Sequence, residues 1–177
     1  MMKVKNLFAV LFLTTFVFSS AAMAEGSGKM TVSGSIIKTQ TSCAIAPEST
    51  DQTVALGQVA DAALLENNGS GKSAPQHFNI QLENCEVSAG NSVTVTFVGV
   101  EGKDGRLGIT GTASGASVAL TDGSGNVLEL GKPSKNFSLQ NGNNTLPFTV
   151  YLQGDGVPGN IQAGDYQAAA GFMLNFQ

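Results

Sequence analysis

Positions 164, 166, 168, 170, 172, 174 and 176 read Gly, Tyr, Ala, Ala, Phe, Leu, Phe, and the residues between them are Asp165, Gln167, Ala169, Gly171, Met173 and Asn175. Successive side chains of a β-strand point to opposite faces, so this run presents one apolar face along its whole length and a mixed one behind it. The same period of two recurs upstream. "KMTVSGSII", "QTVALGQV", "HFNIQLENC", "NSVTVTFVGV", "ASVALTD", "NVLELG" and "NTLPFTVYLQG" are short alternating stretches separated by Gly, Asn, Ser and Asp. Several strands at such spacing predict an all-β sandwich. "TDGSGNVLEL" predicts a hairpin turning over Asp122–Asn126, and "ADAALLEN" is the one stretch with the makings of a short helix.

The first residues predict export. Lys3 and Lys5 precede an apolar run from Leu7 to Phe18, and Ala22-Met23-Ala24 supplies a small-residue cleavage site before Glu25. The run is too short for a stable membrane span. Of the nine Lys and Arg residues two lie in this signal, so after cleavage seven face 13 Asp and Glu. An acidic chain without basic clusters speaks against nucleic acid as a partner. Cys43 and Cys85 both survive cleavage. In an exported protein an even pair reads as a disulfide, the other reading being a reactive thiol pair. A bridge would close a loop of about 40 residues.

At the start of the exported chain Gly28, Met30, Val32, Gly34 and Ile36 alternate with Lys29, Thr31, Ser33 and Ser35. Terminal segments are commonly disordered unless tied down, so this second one-faced strand needs an edge to pair with, its own or another molecule's.

Motifs that would carry catalysis are incomplete. "GSGKS" at Gly69–Ser73 resembles the end of a phosphate loop, but Glu66 stands where the first glycine belongs and a strand, not a helix, follows. It is expected to be a polar surface turn. "GSGNV" lacks the third glycine of a dinucleotide fingerprint, Leu128 standing in its place. His77 is the single histidine and cannot make a multi-histidine metal site. Asp104, Asp122 and Asp155 each precede glycine, which is turn chemistry first, and too few oxygen ligands accompany them for a calcium loop. No catalytic residue, metal site or cofactor is expected.

The order "TVALGQV", "FNIQLENC", "LPFTVYLQG" and "AGDYQAAAGFMLNFQ" resembles the type 1-like fimbrial (pilin) subunits of the chaperone–usher pathway. Gly164 and Phe176 fall at the places of that family's glycine fourteenth from the end and its penultimate aromatic. "MTVSGSII" is similar to the family's N-terminal donor segment, with Gly34 at its internal glycine, and Cys43 and Cys85 match the family's disulfide. The resemblance implies an incomplete immunoglobulin-like β-sandwich that lacks its last strand and is completed by donor-strand complementation. It divides the chain into a signal peptide (1–24), a donor strand segment (25–37) carrying Gly28, Met30, Val32, Gly34 and Ile36, and a pilin domain (38–177). Gly164, Tyr166, Ala168, Ala170, Phe172, Leu174 and Phe176 would then line the acceptor groove and bind the chaperone. The implied partners are a periplasmic pilus chaperone, an outer-membrane usher and neighbouring fimbrial subunits. The implied function is that of a structural subunit of a bacterial surface fimbria, exported through the periplasm, polymerising head-to-tail by donor-strand exchange and supporting adhesion. The alternative is a minor adaptor or a tip adhesin that binds a host receptor, although adhesins of this pathway carry an extra N-terminal lectin domain for which the chain has no room.

Overall fold

A computed structural model of the chain describes residues 41–87 and 91–177. The signal peptide and the segment holding Gly28, Met30, Val32, Gly34 and Ile36 lie outside the described residues. The described strands are β1 (Thr41–Ile45), β2 (Gln76–Val87), β3 (Ser92–Gly99), β4 (Leu107–Gly108), β5 (Thr110–Gly111), β6 (Ala116–Asp122), β7 (Val127–Leu128), β8 (Phe137–Ser138), β9 (Gly142–Gly154), β10 (Tyr166–Gln167) and β11 (Ala170–Phe176). One sheet has the order β1-β2-β9-β6-β4, with β7 hairpinned onto β6, and the other the order β11-β3-β8. A two-stranded piece, β5 with β10, joins them at one side.

Alternation explains the layers. Ile80 and Leu82 of β2, Leu146, Phe148 and Val150 of β9, and Val118 and Leu120 of β6 are buried and share one core with Val93, Val95 and Phe97 of β3. Burying each such side chain contributes about 1.5–3 kcal/mol. Phe148 is the centre of the aromatic packing, with Phe78 stacked at 5.5 Å and Phe97 and Phe137 edge-on at 5.2 and 5.6 Å between ring centroids.

The disulfide Cys43–Cys85 ties β1 to β2 across a separation of 42 residues. By chain entropy a loop of that length is worth about 4 kcal/mol. Beside it β2 carries an extra residue relative to both β1 and β9, and Asn84 takes this bulge at φ +52°.

The predicted hairpin forms between β6 and β7. The Asp122 carboxylate accepts hydrogen bonds from the Ser124 N–H at 2.9 Å, the Asn126 N–H at 2.8 Å and the Asn126 side-chain amide at 2.7 Å. Burial pushes the Asp122 carboxyl up, but these bonds and the charge of Lys135 outweigh it and hold it below its usual value.

Four expectations are corrected. "NVLELG" contributes only Val127–Leu128 as strand, because the backbone beyond Leu128 turns away to donate from Leu130 to the Gly105 carbonyl and from Gly131 to the Phe97 carbonyl. "QTVALGQV" forms no ladder among the described residues; Val54, Leu56 and Val59 are half-buried against the core. "GSGKS" is not a free surface turn. The Gly71 N–H donates to the Leu64 carbonyl, the Gly69 and Gly71 carbonyls accept from Gly156 and Gly154, and both glycines are buried against the end of β9. Short α2 (Asp61–Gly69), preceded in the chain by α1 (Pro47–Thr50), leads into this loop, and its backbone leaves helical geometry at Glu66.

The final strand is split. Tyr166 and Gln167 pair with Gly111 and Thr110, whereas Ala170–Phe176 pair with Val93–Gly99 of β3. Gly164 allows the first pairing: the Thr112 and Ala113 N–H groups both donate to the Asp165 carbonyl, and a Cβ on Gly164 would lie 2.5 Å from Thr112 Oγ1 and 2.7 Å from the Ala113 nitrogen. Gly164→Ala is expected to destabilise the domain by about 1–3 kcal/mol in urea unfolding. Gly159→Ala, whose Cβ would meet nothing within 4 Å, should be close to neutral. For Asp122, a folded pKa below the unfolded one means stability present above about pH 4 and lost as the pH falls through the folded value. Asp122→Asn should therefore be less stable than the parent at pH 7, with the gap closing as unfolding is followed to pH 2–3.

Candidate strand-acceptor groove

The extended segment 52–59 and the C-terminal run 163–172 face each other across a groove of about 1540 Å³. Its apolar floor includes Phe78 and Ile80 of β2, Phe97 of β3, Leu107 of β4, Val118 and Leu120 of β6 and Val150 of β9, and Ile45, Ser49, Thr50 and Asp51 line it where segment 52–59 begins. These residues come from both sheets, so the groove opens into the layer between them and not onto an outer surface. An ordinary sandwich covers such a layer with a strand at this place.

One wall is the free edge of β11. On one side its backbone pairs with β3 from Ala170↔Gly99 to Phe176↔Val93, and the end is fixed by reciprocal N–H···O bonds between Ser92 and Gln177 of 3.2 and 2.8 Å. Among the described residues β11 is the end strand of its sheet, and no described strand pairs with the N–H and C=O groups of its other side. The opposite wall, segment 52–59, is tethered among the described residues by a hydrogen bond from Gln52 Nε2 to the Asn79 carbonyl at 2.8 Å, with Gly57 at φ +68° within it.

The sequence-predicted C-terminal residues divide by position. Phe172, Leu174 and Phe176 point inward and are half-buried, with the Phe172 ring 6.4 Å from Phe97. Met173 and Asn175 point outward, so the predicted apolar face keeps its phase along β11. Ala168 and Ala170 are exposed on the groove wall, and Tyr166 sits half-buried in β10, where burial pushes its hydroxyl pKa up. Gly164 lines the groove beyond them. Sequence reasoning missed the groove's floor, because Ile80, Phe97, Leu107, Val118 and Leu120 read as ordinary core residues. The signal for the far wall was present in "TVALGQV", a strand pattern that finds no ladder partner among the described residues.

The described residues contain no cluster of three metal-ligating side chains and no helix long and apolar enough to cross a membrane. His77 is exposed on the opposite side of β2 from the core residues Phe78 and Ile80, with its Nδ1 3.0 Å from Thr149 Oγ1.

Residues 30–177 match the sequence profile of the family described as fimbrial protein. The Fimbria A protein of Serratia marcescens is 46% identical over 174 residues, covering 95% of this chain and 97% of that protein. The Major MR/P fimbria protein of Proteus mirabilis (strain HI4320) is 40% identical, covering 99% and 100%. Among solved structures, the P pilus rod subunit PapA superposes with a TM-score of 0.66 at 25% identity, over 76% of this chain and 99% of PapA. A chain from a chaperone–usher pilus gives 0.66 at 27% identity, over 89% and 100%. The open strand position between segment 52–59 and β11 thus stands in a sandwich shared with pilus subunits, and the chain belongs to the fimbrial protein family.

Proposed function

We propose that this protein is a structural subunit of a surface fimbria, and that its groove takes the N-terminal strand segment, residues 25–37, of a neighbouring copy. The observation that carries the reading is the groove itself: a strand-wide opening into the core, bounded on one side by the free edge of β11. A strand laid there gains main-chain hydrogen bonds from the edge and register from its alternate side chains. Met30, Val32 and Ile36 would enter the groove, with Gly34 on the same face between them. Three such side chains at about 1.5–3 kcal/mol each and about ten hydrogen bonds at a net ~1 kcal/mol apiece give a gross gain on the order of 15 kcal/mol. That exceeds much of the cost of association, so the polymer dissociates rarely.

Donor and acceptor lie at opposite ends of one chain. The contact is therefore head-to-tail and does not close, and it generates a filament. Before assembly the same apolar groove needs cover, because large exposed apolar patches aggregate. A periplasmic chaperone strand is the cover and an outer-membrane usher the place of exchange, after which the subunits stand on the cell surface. High identity to a major fimbria protein along nearly the whole chain favours a shaft subunit over an adaptor or tip adhesin.

Assembly from the full export-processed chain tests this. Deleting residues 25–37 should abolish SDS-resistant polymers and filaments seen by electron microscopy. Phe172→Asp, which sets a charge against the groove floor, should abolish them too, whereas Asn175→Asp on the outward face of β11 should assemble like the parent. Filaments formed without residues 25–37 contradict the reading.

A further inference from the structure

The groove and the chain length together fix where the neighbouring subunit's body must sit. Every strand ladder among the described residues is antiparallel. A strand added to β11 in the same sense runs against the direction Ala170 to Phe176. The seven residues Met30–Ile36 match the seven residues of β11, which places Met30 beside Phe176 and Ile36 beside Ala170. The donor's own domain follows at once: its first described strand begins at Thr41, five residue steps after Ile36. Five extended residues span at most about 18 Å, so the body of the donor copy has to abut the end of the acceptor at which β11 begins.

That end carries an apolar surface. Ala170 pairs with Gly99, so the start of β11 lies between Val98 and Val100 of the adjoining chain. Val98 is 39% and Val100 66% exposed, and Ala168 and Ala169 beside them are exposed as well. Val100 is the most exposed large apolar side chain among the described residues. The patch borders the groove at Ala168, which lines the groove wall.

We infer that Val98, Val100, Ala168 and Ala169 form a second, body-to-body interface, and that its occupant is the pole of the neighbouring copy from which the donor segment leaves. That pole is built where Thr41 pairs with Val87 and the Asn141 side-chain oxygen accepts the Val87 N–H at 2.8 Å. The short linker delivers this pole to the valines whenever the donor strand is seated. The inference rests on the donor-strand reading and extends it: neighbouring subunits touch outside the groove, which limits their freedom to swing.

Hydroxyl-radical footprinting of unmodified fibres, read by mass spectrometry, tests it without a variant. Val127 and Val157 are references of the same residue type, 54% and 49% exposed in the single subunit, so a free Val100 would be oxidised at least as fast as either. The interface predicts Val100 oxidation in fibres roughly tenfold below both references, as expected of a desolvated contact. Val100 oxidised as fast as Val127 and Val157 in intact fibres overturns the interface and leaves the groove reading standing. If the full chain forms no fibres, the groove reading fails and this inference with it.

Discussion

The fold depends on an incomplete hydrogen-bonded edge over an incomplete hydrophobic core. β11 satisfies one side of its backbone on β3 and faces the groove with the other, and its half-buried Phe172 reaches the Phe97 ring in the same place. Edge and core fall short together, because the strand that would pair the one would also cover the other. A molecule in this condition either shields the gap or offers it. Everything distinctive about the chain follows from the second choice: an amphipathic segment at one end, a groove at the other, and a contact that cannot close on itself.

The remainder of the structure holds the groove's shape. The disulfide fixes β1 on β2 just before the chain enters α1 and segment 52–59, so the far wall is anchored where it begins. At the other end the β5–β10 clasp and the close packing at Gly164 fix the run that leads into β11. Below the clasp, Arg106 Nη2 donates to Asp155 Oδ1 at 3.0 Å and the Ser117 hydroxyl donates to the same oxygen, joining the chain before β4 to the chain after β9. The groove is thus flanked at both ends by cross-links within the domain, which is the arrangement that preorganisation for a partner calls for.

Much of this was legible in the sequence. The period-two pattern of Phe172, Leu174 and Phe176 gave the inward face of β11 with the correct phase, and Asp122-Gly123 through Asn126 gave the hairpin, because both are set by local geometry. The failures share a cause. "QTVALGQV" has the pattern of a strand but forms no ladder among the described residues, since pairing depends on what lies alongside and pattern does not report that. "AGDYQAAAGFMLNFQ" reads as one strand, yet pairing with two different partners divides it at Ala168–Ala169. "GSGKS" looked like solvated loop chemistry because no local signal shows that β9 takes up its carbonyls. The groove floor was invisible for a related reason: a residue lining an opening and a residue sealed in a core have the same sequence signature.

The most direct measurement is the thermal unfolding of disulfide-intact residues 38–177, alone and with a synthetic peptide spanning Glu25 to Ile37. The account predicts a poorly stable or aggregating domain alone. The peptide should raise its melting temperature by tens of degrees, because a seated strand restores both the sheet edge and the core. A domain that is monomeric and stable alone, with a melting temperature indifferent to the peptide, would contradict the central claim.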